Sequence, residues 1–337
     1  MSTTPNDVSH VLQSTRAIGV RPCERALFST PVLLATDGSD AANAATRVTA
    51  ALASARRARA QVLAVVPPLF EPVGALGALG ASGALGASGA SGAGVADLPG
   101  GDTVTAVRGQ VDACLGGETD WPLHVAVGSA TTVICREARA RAAGLIVMGL
   151  RHHGTLDRVF RDETTLLVMR RAGVPVLAVT PLLTDLPRRV VVAVDFSRAS
   201  LHAARAACGV IAEGGTLLLV HVQPEIDCAP EDAEGHGVIY AQGVVGAFAR
   251  LVRELDVLPG VTVETVVLRG APAIELLDFA ERADADLIAI GSQRRATVHR
   301  MLLGSVTTTL VRDGRYSLLV TPPASPDRLH LDGAFVR

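Results

Sequence analysis

The sequence predicts an α/β protein made of two similar units in tandem, each with an open parallel sheet of five strands. Three observations lead to this prediction. Short continuous apolar runs alternate with Ala-rich helical patterns, and the order of these patterns repeats once along the 337 residues. The composition, 49% hydrophobic and 19% charged, is sufficient for a sizeable core.

Each unit opens with a strand, a turn and a helix. The first begins with PVLLATDGSDAANAATRVTAALA and the second with RVVVAVDFSRASLHAARAACGVI. A β-branched run leads in both cases into Asp-x-Ser, whose side chains can accept hydrogen bonds from the free amides at a helix start. The two predicted turns are Asp37-Gly38-Ser39 and Asp195-Phe196-Ser197.

The later elements recur in the same order. QVLAVVPP and TLLLVHVQP are the second strands, and VPVLAVTP and YSLLVTPP are the last. Between them, LHVAVGSATTVICREARARAAGLIVMG and VTVETVVLRGAPAIELLDFAERADADLIAIG each predict a strand, a helix and a strand. Continuous apolar runs joined by helices are typical of parallel strands covered on both faces. Ligands of such sheets bind beyond the carboxyl ends of the strands.

The repeat divides the chain into segments. A Gly/Ala/Ser-rich insertion at 73–101 is predicted to be a flexible loop of the first unit. The predicted segments are a disordered N-terminal tail (1–29), the first domain (30–181), a short linker (182–188), the second domain (189–323) and a C-terminal tail (324–337).

Composition excludes several classes of function. A net charge of −2 argues against nucleic-acid or membrane-surface binding, and no secretory signal is evident, so a cytoplasmic protein is expected. All the basic residues are arginines, which excludes a catalytic or P-loop lysine. The five cysteines lack CxxC spacing, so neither a zinc site nor a disulfide framework is predicted.

The motifs VAVDFS, LLATDGS, LLLVHV, ADLIAIGS and LLGSVTTTLVRDGRYSLLVTP resemble those of universal stress proteins of the UspA type, in their tandem form, over roughly residues 30–323. The resemblance implies Rossmann-like, adenine nucleotide alpha-hydrolase-like domains. Final strands commonly pair across a dimer in this family. VLAVT and SLLVT are therefore expected to pair within this chain as a pseudo-dimer, covering an otherwise open sheet edge.

The family has ATP-binding and non-binding branches, and the binders resemble G-x2-G-x9-G-(S/T). GSQRRATVHRMLLGS in the second unit keeps the outer spacing from Gly291 to Gly304-Ser305. The resemblance implies ATP, with magnesium, as the ligand. It also implies that Asp195 and Ala193 lie at the adenine or ribose and that Val222 lines the adenine slot. Ile290 and Gly291 line the ribose and first phosphate, and Gly304, Ser305 and Val306 hold the phosphates.

Arg294 stands where the middle glycine of that motif belongs. One interpretation is that its guanidinium folds over the phosphates and supplies charge. The other is that its side chain blocks the loop geometry that glycine permits. The sequence leaves both open.

The first unit departs further from the motif. In GLRHHGTLDRVFRDETTLLVM, either Asp162-Glu163 or Glu163-Thr164 takes the place of the Gly-Ser pair. A carboxylate repels phosphate, so this unit is not expected to bind ATP in the usual way. His152-His153 is interpreted as a solvated pair, and no metal site is predicted.

Three functions remain open. The chain is a regulatory ATP-binding module of the stress response, a non-nucleotide scaffold acting through protein contacts, or a slow ATPase. A homodimer or an unknown protein is the expected partner besides the nucleotide. No catalytic residue is assigned, because no general base or metal-binding carboxylate pair accompanies the loop, and an enzyme is not expected. His202 and His221 are interpreted as structural.

Overall fold

A computed structural model of the chain describes residues 15–16, 21–22, 30–67, 100–150, 158–223, 233–292 and 304–323. Most of the predicted loop at 73–101 and the whole predicted C-terminal tail therefore lie outside the described residues. No described helix is long and apolar enough to cross a membrane. Among the described residues, Cys114, Cys135 and Cys208 form no disulfide bond with one another.

The first half of the chain alternates strands and helices as predicted. A single 3-10 turn, Asp40–Ala42, precedes its first helix. The elements are β1 (Thr15–Arg16), β2 (Arg21–Pro22), β3 (Val32–Thr36), α1 (Asn43–Arg56), β4 (Ala60–Val66), α2 (Gly100–Leu115), β5 (Leu123–Val127), α3 (Ala130–Ala140), β6 (Leu145–Gly149), α4 (Arg158–Arg171) and β7 (Val176–Val179).

The second half repeats this order with one short extra strand. Its elements are β8 (Arg189–Ala193), α5 (Arg198–Val210), β9 (Thr216–Gln223), α6 (Ala233–Arg253), β10 (Asp256–Val257), β11 (Thr262–Arg269), α7 (Pro272–Arg282), β12 (Leu287–Gly291), α8 (Ser305–Asp313) and β13 (Ser317–Thr321).

Eleven strands form one continuous sheet in the order β1-β11-β9-β8-β12-β13-β7-β6-β3-β4-β5. Five strands of each unit run parallel, and the units meet where β13 and β7 pair antiparallel, with Leu319 opposite Leu177. The predicted fold class and pseudo-dimer are confirmed. Pairing the two final strands removes a sheet edge from each unit, since the backbone groups of one edge satisfy those of the other.

Two layers of helices cover the sheet. Alternate residues of each strand face opposite layers, as Val32 and Leu34 do against Leu33 and Ala35. One core includes side chains of α1, α2, α5 and α6, and the other includes side chains of α3, α4, α7 and α8. Both units therefore place corresponding helices on the same side of the sheet.

Side chains also join the two units. The Thr180 amide donates to Ser317 Oγ at 3.0 Å, and the two hydroxyls lie 3.1 Å apart. Arg56, only 6% exposed, donates from Nε to the Gly209 carbonyl at 3.0 Å and from its guanidinium to the Ile211 carbonyl. An arginine of the first unit thus satisfies carbonyls at the end of α5 in the second.

Four residues of the predicted N-terminal tail are paired in strands. Thr15–Arg16 lies antiparallel to β11, opposite Thr265 and Glu264, and Arg21–Pro22 lies parallel to β10. Disorder therefore does not describe these four residues. The reason is that β11 would otherwise be the outer strand of the sheet, whose unpaired N–H and C=O groups accept another segment.

Candidate functional site

The Asp195 turn lies directly beyond the end of β8. Ser197 donates to Asp195 Oδ1 twice, from its amide at 3.0 Å and from its hydroxyl at 2.5 Å. Ser197 is also the N-cap of α5 and accepts a hydrogen bond from the Ser200 amide at 3.3 Å. Asp37 and Ser39 repeat the Asp–Ser contacts in the first unit at 3.0 and 2.5 Å. The local sequence thus builds the same turn twice.

The exposed Asp195 side chain is held in its charged form. Partial burial raises the pKa of Asp195, but hydrogen bonds from Ser197 and Ser200 lower it more, so this pKa lies below the ordinary aspartate value. At neutral pH the site therefore presents a carboxylate, which accepts hydrogen bonds from hydroxyl or amino groups of a ligand.

Phe196 adopts a backbone conformation that favours glycine. Its φ is 60°, and Gly38 occupies the corresponding position of the first unit with φ 74°. The Phe196 ring packs against His221, with centroids 4.7 Å apart, and edge-on against Phe248 at 5.0 Å. These contacts offset the backbone cost. Sequence reasoning missed this role, although a phenylalanine aligned with a glycine in the turn was the available signal.

His221 is a structural residue of the same region. Its Nδ1 lies 2.8 Å from the Val194 carbonyl oxygen. Since a carbonyl can only accept, Nδ1 carries the proton in this contact. The ring is buried, which agrees with the structural interpretation made from the sequence.

The predicted adenine and ribose residues come together on one face of the sheet. Ile290 is 8% exposed in the core beneath α7 and α8, and Ala193, Val222 and Val306 pack against that same core. They belong to three neighbouring strand ends and to the first turn of α8. The structure thus places four sequence-predicted apolar residues on the same side of the sheet, near its carboxyl edge.

Gly291 allows α5 to approach β12. A Cβ atom added at this position would lie 2.2 Å from the Ala199 carbonyl oxygen, a backbone atom that cannot move aside. At Gly149 in the first unit, the added Cβ would lie 2.8 Å from the Ala41 carbonyl oxygen. Glycine is therefore required here for helix–strand packing, whatever Gly291 contributes to a ligand.

Gly304 has no comparable packing constraint. It is exposed, its φ is −60°, and an added Cβ would meet nothing within 4 Å. Its carbonyl accepts from the Thr308 amide at 3.0 Å and from the Thr308 hydroxyl at 3.1 Å. The first amides of a helix have no intrahelical acceptor, so those of Ser305 and Val306 suit an anion.

Arg294 lies outside the described residues, as do Arg295, His299 and Arg300. Among the described residues, no group of three or more His, Cys, Asp or Glu side chains is placed to hold a metal ion.

The first unit has a cavity at the corresponding strand ends. It measures about 380 Å³, and Thr36, Asp37, Leu63, Ile134, Met148 and Thr165 are among its lining residues. This cavity was not anticipated from the sequence, because it forms between side chains that are distant along the chain.

The helix beside that cavity begins earlier than its counterpart. α4 starts at Arg158, so Asp162 is its fifth residue and the Asp162 amide lies within the helical hydrogen-bond ladder. Buried positions of the two helices match at a constant spacing, which puts Asp162-Glu163 in the place of Gly304-Ser305 and settles the register. The matching positions are Thr165, Val168 and Met169 in α4 and Thr307, Leu310 and Val311 in α8.

Comparisons with known proteins agree with the repeat. The profile of the universal stress protein family matches residues 29–180 and again 187–322. A universal stress protein of Methanocaldococcus jannaschii is 29% identical over 143 residues, which is 40% of this chain and 82% of that protein. One from Mycobacterium tuberculosis is 28% identical over 185 residues, covering 53% of this chain and 61% of that protein.

The fold is also found among solved structures. The crystal structure of a universal stress protein from Archaeoglobus fulgidus covers 88% of this chain and 100% of its own, with a TM-score of 0.54 and 18% sequence identity. At this identity the likeness concerns the fold alone.

Proposed function

Because the chain belongs to the universal stress protein family, we propose that it is a regulatory module of the stress response that binds one ATP molecule in its second domain. The observation that carries this proposal is the exposed start of α8, which lies on the same side of the sheet as the apolar strand-end residues Ala193, Val222 and Ile290. A phosphate-binding helix start and an apolar slot at the carboxyl edge of one sheet suit a nucleotide.

Each part of ATP has a chemically suitable surface in this arrangement. The apolar surface takes the adenine ring, and the Asp195 carboxylate accepts from the adenine amino group or a ribose hydroxyl. The amides of Ser305 and Val306 and the Ser305 hydroxyl face the phosphates, with the positive end of the α8 dipole behind them. Magnesium would be held mainly by phosphate oxygens and water, as is usual for this ion.

The first domain is proposed to be a structural partner. Its helix α4 places Glu163 where the second domain has Ser305, and the Glu163 side chain is exposed. A carboxylate there repels phosphate, and no helix start is available at that point to attract it. ATP binding without hydrolysis is proposed. The turn offers a single carboxylate, Asp195, and this carboxylate already accepts hydrogen bonds from Ser197 and is therefore not assigned as a general base.

Purified protein titrated with Mg-ATP by calorimetry should show one site per chain. In Gly304→Glu the added carboxylate faces the phosphates, so the affinity should fall at least about tenfold. Gly109→Glu is the matched control, since Gly109 is also exposed with no atom near its added Cβ, but lies in α2. Absence of heat with the wild-type protein at millimolar ATP would leave the scaffold function instead.

The variant Arg294→Gly separates the two interpretations of the substituted motif. If Arg294 contacts phosphate, its removal should weaken Mg-ATP binding by about tenfold or more, as expected for loss of one charge-assisted hydrogen bond. If Arg294 obstructs the loop, the same variant should bind more tightly than the wild type. Calorimetry on both proteins under identical salt conditions shows whether the substitution weakens or strengthens Mg-ATP binding.

A further inference from the structure

A second groove lies on the other side of the Asp195 turn. It measures about 510 Å³ and runs between α5 and α6, in the helical layer opposite to α7 and α8. This size is in the range of small-molecule sites. Four of its lining side chains are basic: Arg198, His202, Arg205 and Arg250.

Within the described part of the groove, basic side chains outnumber acidic ones. Among the described residues that line the groove, Glu254 is the one acidic residue; its carboxylate lies 3.6 Å from the Arg205 guanidinium, and its carbonyl accepts from Arg205 Nε at 3.2 Å. Among the described residues, no carboxylate forms an ion pair with Arg198 or Arg250.

The position of Arg198 adds to the imbalance. It is the first residue of α5, where the helix dipole is positive and a cation is unfavourable. His202 follows one turn later on the same helix, and Arg205 follows within the next turn. A cation at the start of a helix departs from the usual charge preference, and such departures are common at functional sites.

His202 lies among the basic side chains of the groove. Burial lowers the pKa of His202 most, and the charges of Arg205 and Arg198 lower it further. On the side of α6, the described charged residues that line the groove are Arg250 and Glu254. An anion bound among these groups would favour the protonated imidazole.

Apolar side chains form another part of the groove surface. Phe196, Leu201 and Leu251 line it, and Leu251 is 6% exposed. An anion with an attached ring or short apolar part would therefore satisfy both portions of the surface. Arginine suits phosphate in particular, because its guanidinium donates two parallel hydrogen bonds to a pair of phosphate oxygens.

We propose that the groove between α5 and α6 binds a small phosphorylated ligand through Arg198, His202 and Arg250. This site is separate from the proposed ATP site, since the two lie in opposite helical layers and approach each other only at the Asp195 turn. The inference does not depend on ATP binding.

The test uses the full chain carrying Gly304→Glu, so that the start of α8 contributes no phosphate binding. Inorganic pyrophosphate and phenyl phosphate are titrated while the imidazole signal of His202, assigned through its loss in His202→Gln, is followed by proton NMR. Saturable shifts and a raised His202 pKa are expected with both probes. Phenyl phosphate should bind more tightly than inorganic phosphate titrated in the same way as a reference, because the phenyl ring contacts the apolar side chains.

Variants locate the binding. Arg198→Gln and Arg250→Gln should each weaken pyrophosphate binding at least about tenfold, whereas Arg59→Gln, an exposed arginine of the first domain, should not. Arg198→Gln removes a like charge, so its urea midpoint should equal or exceed that of the parent, which excludes misfolding as the cause. Two results would overturn the proposal. One is an unshifted His202 imidazole signal when each probe is in tenfold excess over about 1 mM protein; the other is equal pyrophosphate affinity of all the variants.

Discussion

Gly291→Ala is expected to lower the free energy of unfolding by about 3 kcal/mol, at the upper end of the range for overpacking a core. The added Cβ would lie 2.2 Å from the Ala199 carbonyl oxygen, so β12 and α5 would have to separate. That separation would move the Asp195 turn, since α5 begins directly after it. Urea unfolding followed by circular dichroism measures the change.

Two glycines serve as graded controls. Gly149→Ala in the first domain should destabilise less, because the added Cβ would approach the Ala41 carbonyl oxygen to 2.8 Å. Gly304→Ala should change the free energy of unfolding by no more than about 0.5 kcal/mol, since its φ is −60° and its surroundings are open. Equal stability of Gly291→Ala and Gly304→Ala would show that the packing explanation is wrong.

This series also separates structure from ligand binding. Gly304→Ala keeps the fold, so any loss of Mg-ATP affinity in that variant reports on the close approach of phosphate to the start of α8. Gly291→Ala alters packing first, and its ATP affinity is meaningful only under conditions where the variant remains folded. The two outer glycines of the motif thus have different physical roles.

Arg56→Met is expected to destabilise the protein by about 3 kcal/mol. The side chain is 6% exposed and donates to two carbonyls at the end of α5, Gly209 and Ile211. Methionine keeps much of the apolar volume but leaves both oxygens without this donor, and hydrogen bonds from charged groups contribute about 1.5–3 kcal/mol each. The positive charge also suits the carboxyl end of a helix. Thermal and urea unfolding of the full chain measure the loss.

Arg57→Met is the matched control for this substitution. Arg57 is the next residue and is exposed, so its replacement should change stability by no more than about 0.5 kcal/mol. Arg56→Lys should recover part of the loss, because an ammonium group can still donate to one carbonyl. If Arg56→Met and Arg57→Met unfold at the same urea concentration, the contact between α1 and α5 does not stabilise the joint between the domains.

The Arg56 contact has a consequence for the proposed ATP site. The carboxyl end of α5 is held by the first domain, and its amino end carries the Ser197 cap of the Asp195 turn. The first domain therefore supports a helix that positions the proposed ATP site in the second domain. Within the first domain, Glu163 of α4 occupies the corresponding phosphate position and would repel phosphate. This supports its proposed role as a structural partner.

Local patterns determined most of the fold. The five strands of each unit were predictable because a continuous apolar run between helices has few alternatives in an α/β protein. Asp195 and Ser197 were predictable as a capped turn because both contacts join residues two positions apart in the chain. The pairing of β7 with β13 was predictable because an open edge between two similar units calls for a partner.

Other features depend on contacts between distant parts of the chain, and only the tertiary structure decided them. The need for glycine at 291 comes from Ala199, and the Arg56 contacts cross from α1 to the end of α5. The place of Glu163 followed from which side of α4 is buried, and the basic groove exists because α5 and α6 lie side by side. Sequence spacing reports what neighbours along the chain can do; packing distances and electrostatic fields arise once the chain has brought remote residues together.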